Sequence, residues 1–279
     1  MSVAASFLLL AASIHPAADS PADYQAVCAN PISLPGDLVA REPRFVIVGE
    51  IHGTDTSPEA FGALACSLAF EREVLIQFEL PPAWGVWIDD YVQTGDAASR
   101  EKLLTSYLFT SERYDGRASS AFVDLLDNLR QMKRAGAKIS VAAFQPDMRT
   151  IEPQYYYELS MAEHLARNAV SKPDAINLVL VGNYHAERSE SESDRRSAAS
   201  FLRGKDFIAL NQCYQGGSAS VRMPDEDGNS VNSQMTLPDS DAALPRGIHP
   251  SDTTLFDGKI CAGRAAKASP RAVPAIAED

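Results

Sequence analysis

Five short apolar runs recur between Phe45 and Cys213, each followed by a longer stretch of helical character, and this alternation constrains the fold more than any other feature of the chain. The runs are Phe45 to Glu50, Val74 to Leu80, Lys138 to Phe144, Asn177 to Asn183 and Asp206 to Cys213. Most are near-continuously apolar, as in strands covered on both faces. A mostly parallel α/β sheet of about five strands, flanked by helices, is therefore expected. Ser57-Pro58-Glu59 reads as an N-cap followed by proline at the first helical position, opening a helix to about Phe70. After the second run comes a helical insertion: Pro82 to Thr94, Asp96 to Leu108 and Ser120 to Ala135, with the polar loop Ser111 to Arg117 inside it. That insertion is the natural lid or substrate-shaping element. Further helices are expected over Pro153 to Val170 and Ala198 to Arg203.

Beyond Cys213, Gly, Ser, Asp, Asn and Pro dominate. One extended piece is expected at Ser218 to Met223, a long surface loop over Pro224 to Gly247, and a disordered Ala/Pro-rich tail over 262–279. The run Val3 to Ile14 is too short to span a bilayer but has the length of a signal-peptide core. The expected organisation is a signal peptide over 1–22, one α/β domain over 23–261 and the tail, with no stable membrane insertion once the signal is removed. Cys28, Cys66, Cys213 and Cys261 form an even set without CxxC spacing and fit two disulfides. Cys213–Cys261 is favoured because it would tie the polar C-terminal region to the last strand. A periplasmic or secreted protein follows. The net charge of -12 removes the electrostatic term that drives nucleic-acid binding, so no nucleic acid is expected as partner.

The chain has no G-x-S-x-G elbow, Walker loop, G-x-G-x-x-G or H-E-x-x-H. What remains is positional, because ligands of a parallel sheet bind beyond the carboxyl ends of its strands. Glu50 ends the first run and His52 follows it, Glu79 lies at the end of the second, and His185 follows the fourth. Gly-x-x-His occurs twice at these ends, in Gly49-Glu50-Ile51-His52 and Gly182-Asn183-Tyr184-His185, where glycine would permit a sharp turn that aims the histidine into the crevice. Carboxylates at the ends of apolar runs are costly to bury alone, and a salt bridge to a nearby arginine is the plain alternative to a chemical role. Two imidazoles and two carboxylates suit a divalent metal (Zn, Mn or Co) at Glu50, His52, Glu79 and His185, which would acidify a bound water. The same residues also work without metal, a carboxylate fixing the tautomer of His52 so that it takes a proton from water. Arg117, in Tyr114-Asp115-Gly116-Arg117, could clamp a substrate anion, against the simpler reading as a type I turn. Tyr114, Asp147 and Tyr184 are further candidate substrate contacts.

The segments Val48-Gly49-Glu50-Ile51-His52-Gly53, Glu79 and Val181-Gly182-Asn183-Tyr184-His185-Ala186 resemble the superfamily that includes the Tiki and TraB proteins, the erythromycin esterases and the ChaN-like haem-binding lipoproteins. The resemblance spans about Phe45 to Cys213. It implies a metal-dependent protease in the Tiki branch, ester hydrolysis by a His/Glu site in the esterase branch, or haem capture in the ChaN branch. Glu50-Ile51-His52-Gly53-Thr54 is similar to the esterase version. The leading expectation is a hydrolase of an ester or amide in a small-molecule or peptide substrate, with His52 as base and Glu50 or Glu79 orienting it. The alternative is a haem or iron binder using Tyr114, Tyr184 or His185.

Overall fold

The computed structural model describes residues 21–111, 115–146, 154–188, 196–202, 207–225 and 227–274. The elements in chain order are α1 (Pro21–Val27), α2 (Gly36–Val39), β1 (Phe45–Glu50), α3 (Thr56–Glu71), β2 (Val74–Phe78), α4 (Pro82–Thr94), α5 (Ala97–Leu104), α6 (Tyr107–Thr110), α7 (Ser120–Arg134) and β3 (Ile139–Ala143). There follow α8 (Gln154–Val170), β4 (Ile176–Gly182), a 3₁₀ turn (Asn183–Ala186), α9 (Ala198–Phe201), β5 (Phe207–Gln212), β6 (Ser218–Pro224), β7 (Ser230–Thr236), β8 (Gly247–Pro250) and β9 (Gly258–Cys261). The expected signal peptide lies almost wholly outside the described residues.

The central sheet has the order β3-β2-β4-β1-β5-β9-β8. Its neighbours pair in parallel except β8 with β9. All five expected strands are present, and β8 and β9 extend the sheet from a region read as irregular. Alternation along the strands divides the core. Val46, Val48, Ile76, Phe78, Leu178 and Leu180 pack beneath α3, α4 and α7, whereas Ile47, Val179 and Val181 pack against α8 and α9. Helix α7 shows why such a helix forms: Phe122, Leu125, Leu126, Leu129 and Met132 lie on one buried stripe, and the Ser119 hydroxyl caps its start by accepting from Phe122 N at 3.2 Å. Helix α3 begins at Thr56, one residue before its expected N-cap Ser57, whose hydroxyl donates to Gln212 of β5 rather than capping the helix.

Two C-terminal expectations are corrected. Part of the expected surface loop is strand β7, which pairs antiparallel with β6 across the Asp227-Gly228 turn. The segment expected to be a disordered tail is hydrogen-bonded through residues 266–272: Lys267 O accepts from Asp55 N, Ser269 N donates to Gly53 O, Pro270 O accepts from Ser120 N and Ala272 N donates to Ala118 O. Its Ala/Pro-rich composition leaves it without regular structure of its own, but backbone groups of three loops, at Gly53 and Asp55, at Ala118 and Ser120, and at Gly216 and Ser218, complete its hydrogen bonding. Disulfides join Cys28 to Cys66 and Cys213 to Cys261, the pattern of an oxidising, extracytoplasmic compartment. Among the described residues, no helix is long and apolar enough to cross a membrane.

Candidate active site

The strand order explains the site. Because β4 inserts between β2 and β1, the carboxyl ends of three adjacent strands deliver Glu79, Gly182 with His185, and Glu50 with His52 to one place. Glu50 pairs with Gly182 in the β1–β4 register and continues the parity of Val46 and Val48. It therefore faces the α3/α7 layer, where a cavity of about 20 Å³, room for one water, is lined by Glu50, His52, Glu79, Phe78, Phe122 and Leu180. Glu50 and Glu79 are each 6% exposed.

His52 Nδ1 lies 2.8 Å from Glu50 Oε1, and since a carboxylate only accepts, Nδ1 carries the hydrogen. Its Nε2 lies 3.5 Å from Glu79 Oε2. His185 repeats the arrangement. Its Nδ1 is 2.8 Å from both oxygens of Glu158, a fully buried residue of α8, and its Nε2 is 3.9 Å from Glu79 Oε1. Two Glu–His dyads thus point their Nε2 atoms at one carboxylate. Glu79 is held in turn: Oε2 accepts from Gly182 N at 2.7 Å, and Arg117 Nη1 reaches its carbonyl oxygen at 2.7 Å and Oε1 at 3.1 Å. Asp115 takes the remaining Arg117 nitrogens, Nε at 3.0 Å and Nη2 in a short contact. All three guanidinium nitrogens are committed inside the protein, so Arg117 holds Glu79 rather than standing open to a substrate anion.

These contacts set the protonation states. For His52, burial alone would lower the pKa, but the hydrogen bonds and charges of Glu50 and Glu79 outweigh it and the group is pushed up to about 10. His185 is raised in the same way, burial opposing and Glu158 and Glu79 prevailing. For Glu79, burial favours the neutral acid, yet Arg117 and the two histidines hold its carboxyl well below the usual carboxylate range.

The glycines of the two Gly-x-x-His segments serve close approach rather than an unusual turn. A β-carbon on Gly49 would lie 2.9 Å from Asn183 Cα and 3.0 Å from Ala186 Cβ, so glycine lets the second histidine loop pack on the first strand. Positive φ appears one step later, at Gly53 (81°) and at Gly116 (94°) in the arginine loop. The His52 loop is pinned from three sides: Ile51 N donates to Gln212 Oε1 at 2.8 Å, and Gly53 O accepts from Ser220 N at 3.0 Å and from Ser269 N at 2.8 Å.

Of the residues singled out from the sequence, Glu50, His52, Glu79, His185 and Arg117 come together, and the Tyr184 ring lies 5.5 Å from that of His185. Tyr114 and Asp147 lie outside the described residues. Sequence reasoning missed Glu158, although a signal was present: it is a charged residue on the stripe that α8 otherwise buries with Tyr157, Met161, Ala162 and Leu165. It also missed Asp115 as the partner that shares Arg117.

The four residues proposed as metal donors do not make a donor set. Each histidine has only Nε2 left to offer, and the guanidinium of Arg117 already occupies Glu79, where a divalent cation would meet a fixed positive charge. Among the described residues, no group of three or more His, Cys, Asp or Glu side chains is arranged to hold a metal ion. Nor does the cavity beside His52, about 20 Å³, fit a porphyrin.

Fold and site together define an α/β protein with a paired His–carboxylate centre at the C-terminal rim of its sheet. Solved structures share that fold. They include a mutant of the erythromycin esterase EreC in its open conformation (TM-score 0.61, 12% identity, 84% of this chain and 93% of that one). A protein from Bacillus cereus (TM-score 0.60, 11% identity, 90% and 99%) and a succinoglycan biosynthesis protein (TM-score 0.58, 12% identity, 89% and 98%) are similar to the same degree. No protein-family model matches the sequence, and no curated protein does.

Proposed function

We propose that this chain is an exported hydrolase of an ester or amide bond that works with histidine and carboxylate side chains alone. The observation that carries the reading is the convergence of two Glu–His dyads on Glu79. Glu50 keeps the hydrogen of neutral His52 on Nδ1, which leaves the Nε2 lone pair to take a proton from water as its oxygen attacks the carbonyl carbon. His185, charged and fixed by Glu158, presents its Nε2 hydrogen to the carbonyl oxygen as that oxygen becomes negative. When the tetrahedral adduct collapses, the bond to the leaving alcohol or amine breaks and the proton on His52 passes to it. Arg117 keeps Glu79 ionised and in place between the rings. The fold shared with an erythromycin esterase makes an ester the first substrate class to try, and the two disulfides support export to the periplasm or beyond.

The test is a panel of activated esters and amides turned over by protein purified without metal-binding tags and dialysed against chelator. Turnover that survives chelation and is lost in His52→Ala and His185→Ala is the expected result. Loss on chelation with recovery on stoichiometric Mn or Zn would place the chemistry on a metal.

A further inference from the structure

Gly182 has no conformational need to be glycine. Its φ of -54° and ψ of 140° suit any residue, unlike the positive φ of Gly53 or Gly116. What distinguishes it is its surroundings. A β-carbon on Gly182 would have as its nearest neighbours His185 Cδ2 at 3.3 Å, Glu79 Oε2 at 3.4 Å and His52 Nε2 at 3.6 Å, all atoms of the proposed machinery. The bare Cα leaves a gap of about the size of a β-carbon that both imidazoles and Glu79 border.

From this we infer that the space over Gly182 Cα is the seat of the attacking water, and that Gly182 is the residue that admits it. The inference rests on the hydrolase reading and adds a requirement of its own. With His52 neutral and its hydrogen on Nδ1, the Nε2 lone pair faces Glu79 Oε2 across 3.5 Å, two acceptors with no hydrogen between them. A water over Gly182 resolves this by donating one hydrogen to each, which leaves its oxygen lone pairs directed away from both, towards a substrate carbonyl carbon. Attack transfers the hydrogen on the Nε2 side to His52, while Glu79 keeps the other as an accepted bond. Gly182 N, already donating to Glu79 Oε2 at 2.7 Å, fixes the carboxylate at the edge of the same seat.

Gly182→Ala tests the seat with little risk to the fold, since the three nearest neighbours of its methyl would be side-chain atoms at 3.3 to 3.6 Å. Wild-type turnover of an activated ester is measured first, and its absence sinks the hydrolase reading rather than the seat. Given turnover, Gly182→Ala is expected to lower kcat at least tenfold with KM within about twofold, leaving the thermal midpoint and the NMR titration of His52 in place. Wild-type kcat in a folded Gly182→Ala protein would overturn the inference. Gly182→Ser supplies a second readout, because its hydroxyl oxygen would occupy the seat. That oxygen attacks the ester carbonyl, His52 takes the hydroxyl hydrogen and passes it to the departing alcohol, and the acyl group remains on residue 182. An adduct of the acyl mass on the peptide containing residue 182 is expected; its absence after incubation of the folded variant with ester counts against the seat. A high-resolution structure of the wild-type chain above pH 10, where His52 is neutral, reads the seat without any variant: a water within hydrogen-bonding distance of both His52 Nε2 and Glu79 Oε2 supports it, and a dry contact between those atoms contradicts it.

Discussion

Replacing Glu50 by glutamine separates the two things that carboxylate does for His52. The amide oxygen still accepts from Nδ1 and holds the same tautomer, but the negative charge is gone. In the wild-type chain His52 titrates at about 10 because the hydrogen bonds and charges of Glu50 and Glu79 overcome burial. At pH 7, well below that value, only a small fraction of molecules carries the neutral base, so kcat/KM should climb with pH, close to tenfold per unit, for as long as His185 keeps its proton, and should stop rising by about pH 10. In Glu50→Gln the Glu79 contribution remains and that of Glu50 is lost, so the rising limb should move to lower pH. The plateau should fall by about tenfold or more, because a less basic imidazole pulls less strongly on the water proton. Initial rates from pH 6 to 10.5, with an ester whose spontaneous hydrolysis is subtracted, give both quantities. A wild-type rate that falls as pH rises would mean that the imidazolium works as an acid, and an unmoved limb in Glu50→Gln would mean that Glu50 does not set the base; either refutes the reasoning.

Stability should carry the same signature with its own sign. His52 titrates higher in the folded chain than its ordinary 6.5, so its contribution, on the order of a few kcal/mol, is complete below pH 6.5 and is lost as pH rises towards about 10; melting curves across that window should show a falling midpoint that flattens in His52→Asn. Glu79 has the opposite sign, its pKa lying below its ordinary 4.5, so its share is present above pH 4.5 and lost in strong acid, and acid melts of Glu79→Gln should be less steep than wild type. Ending the chain after Ala262 removes the backbone bonds of Ala266, Lys267, Ser269, Pro270 and Ala272, each worth about 1 kcal/mol. Turnover should fall by more than tenfold as the His52 loop loosens, and a truncated protein with full turnover would show that the segment does not organise the site. The disulfide between Cys213 and Cys261 spans 48 residues, so Cys213→Ser with Cys261→Ser should cost about 2 to 4 kcal/mol in denaturant unfolding, and an unchanged midpoint would count against it.

The parts of the fold legible in the sequence are those whose signal is local. β1, β2, β3, β4 and β5 announce themselves as apolar runs, and α7 as a stripe ended by Gly136. Strands β8 and β9 are four residues each, and β7, Ser-Val-Asn-Ser-Gln-Met-Thr, is largely exposed on both faces, so no apolar pattern marked them. The strap over residues 266–272 was illegible for a related reason: its order comes from backbone partners more than a hundred residues away in the chain, at Gly53 and Ser120. In the site, Glu50 ends a strand and His52, Glu79 and His185 follow strands, so all four could be placed at one rim, but that β4 lies between β1 and β2 is a matter of topology which spacing does not encode. Glu158 lies at no strand end, and its only mark in the sequence is that it is a carboxylate within the buried stripe of α8.

The most direct test of the central claim is chemical rescue of the missing base. In metal-depleted buffer, His52→Ala should hydrolyse an activated ester at least about 100-fold more slowly than wild type, consistent with the 10²- to 10⁴-fold worth of a positioned base. Added imidazole should restore part of the loss, with a pH profile that follows the free imidazole and no longer rises towards pH 10. Turnover in His52→Ala equal to wild type, with no response to imidazole, would contradict the account.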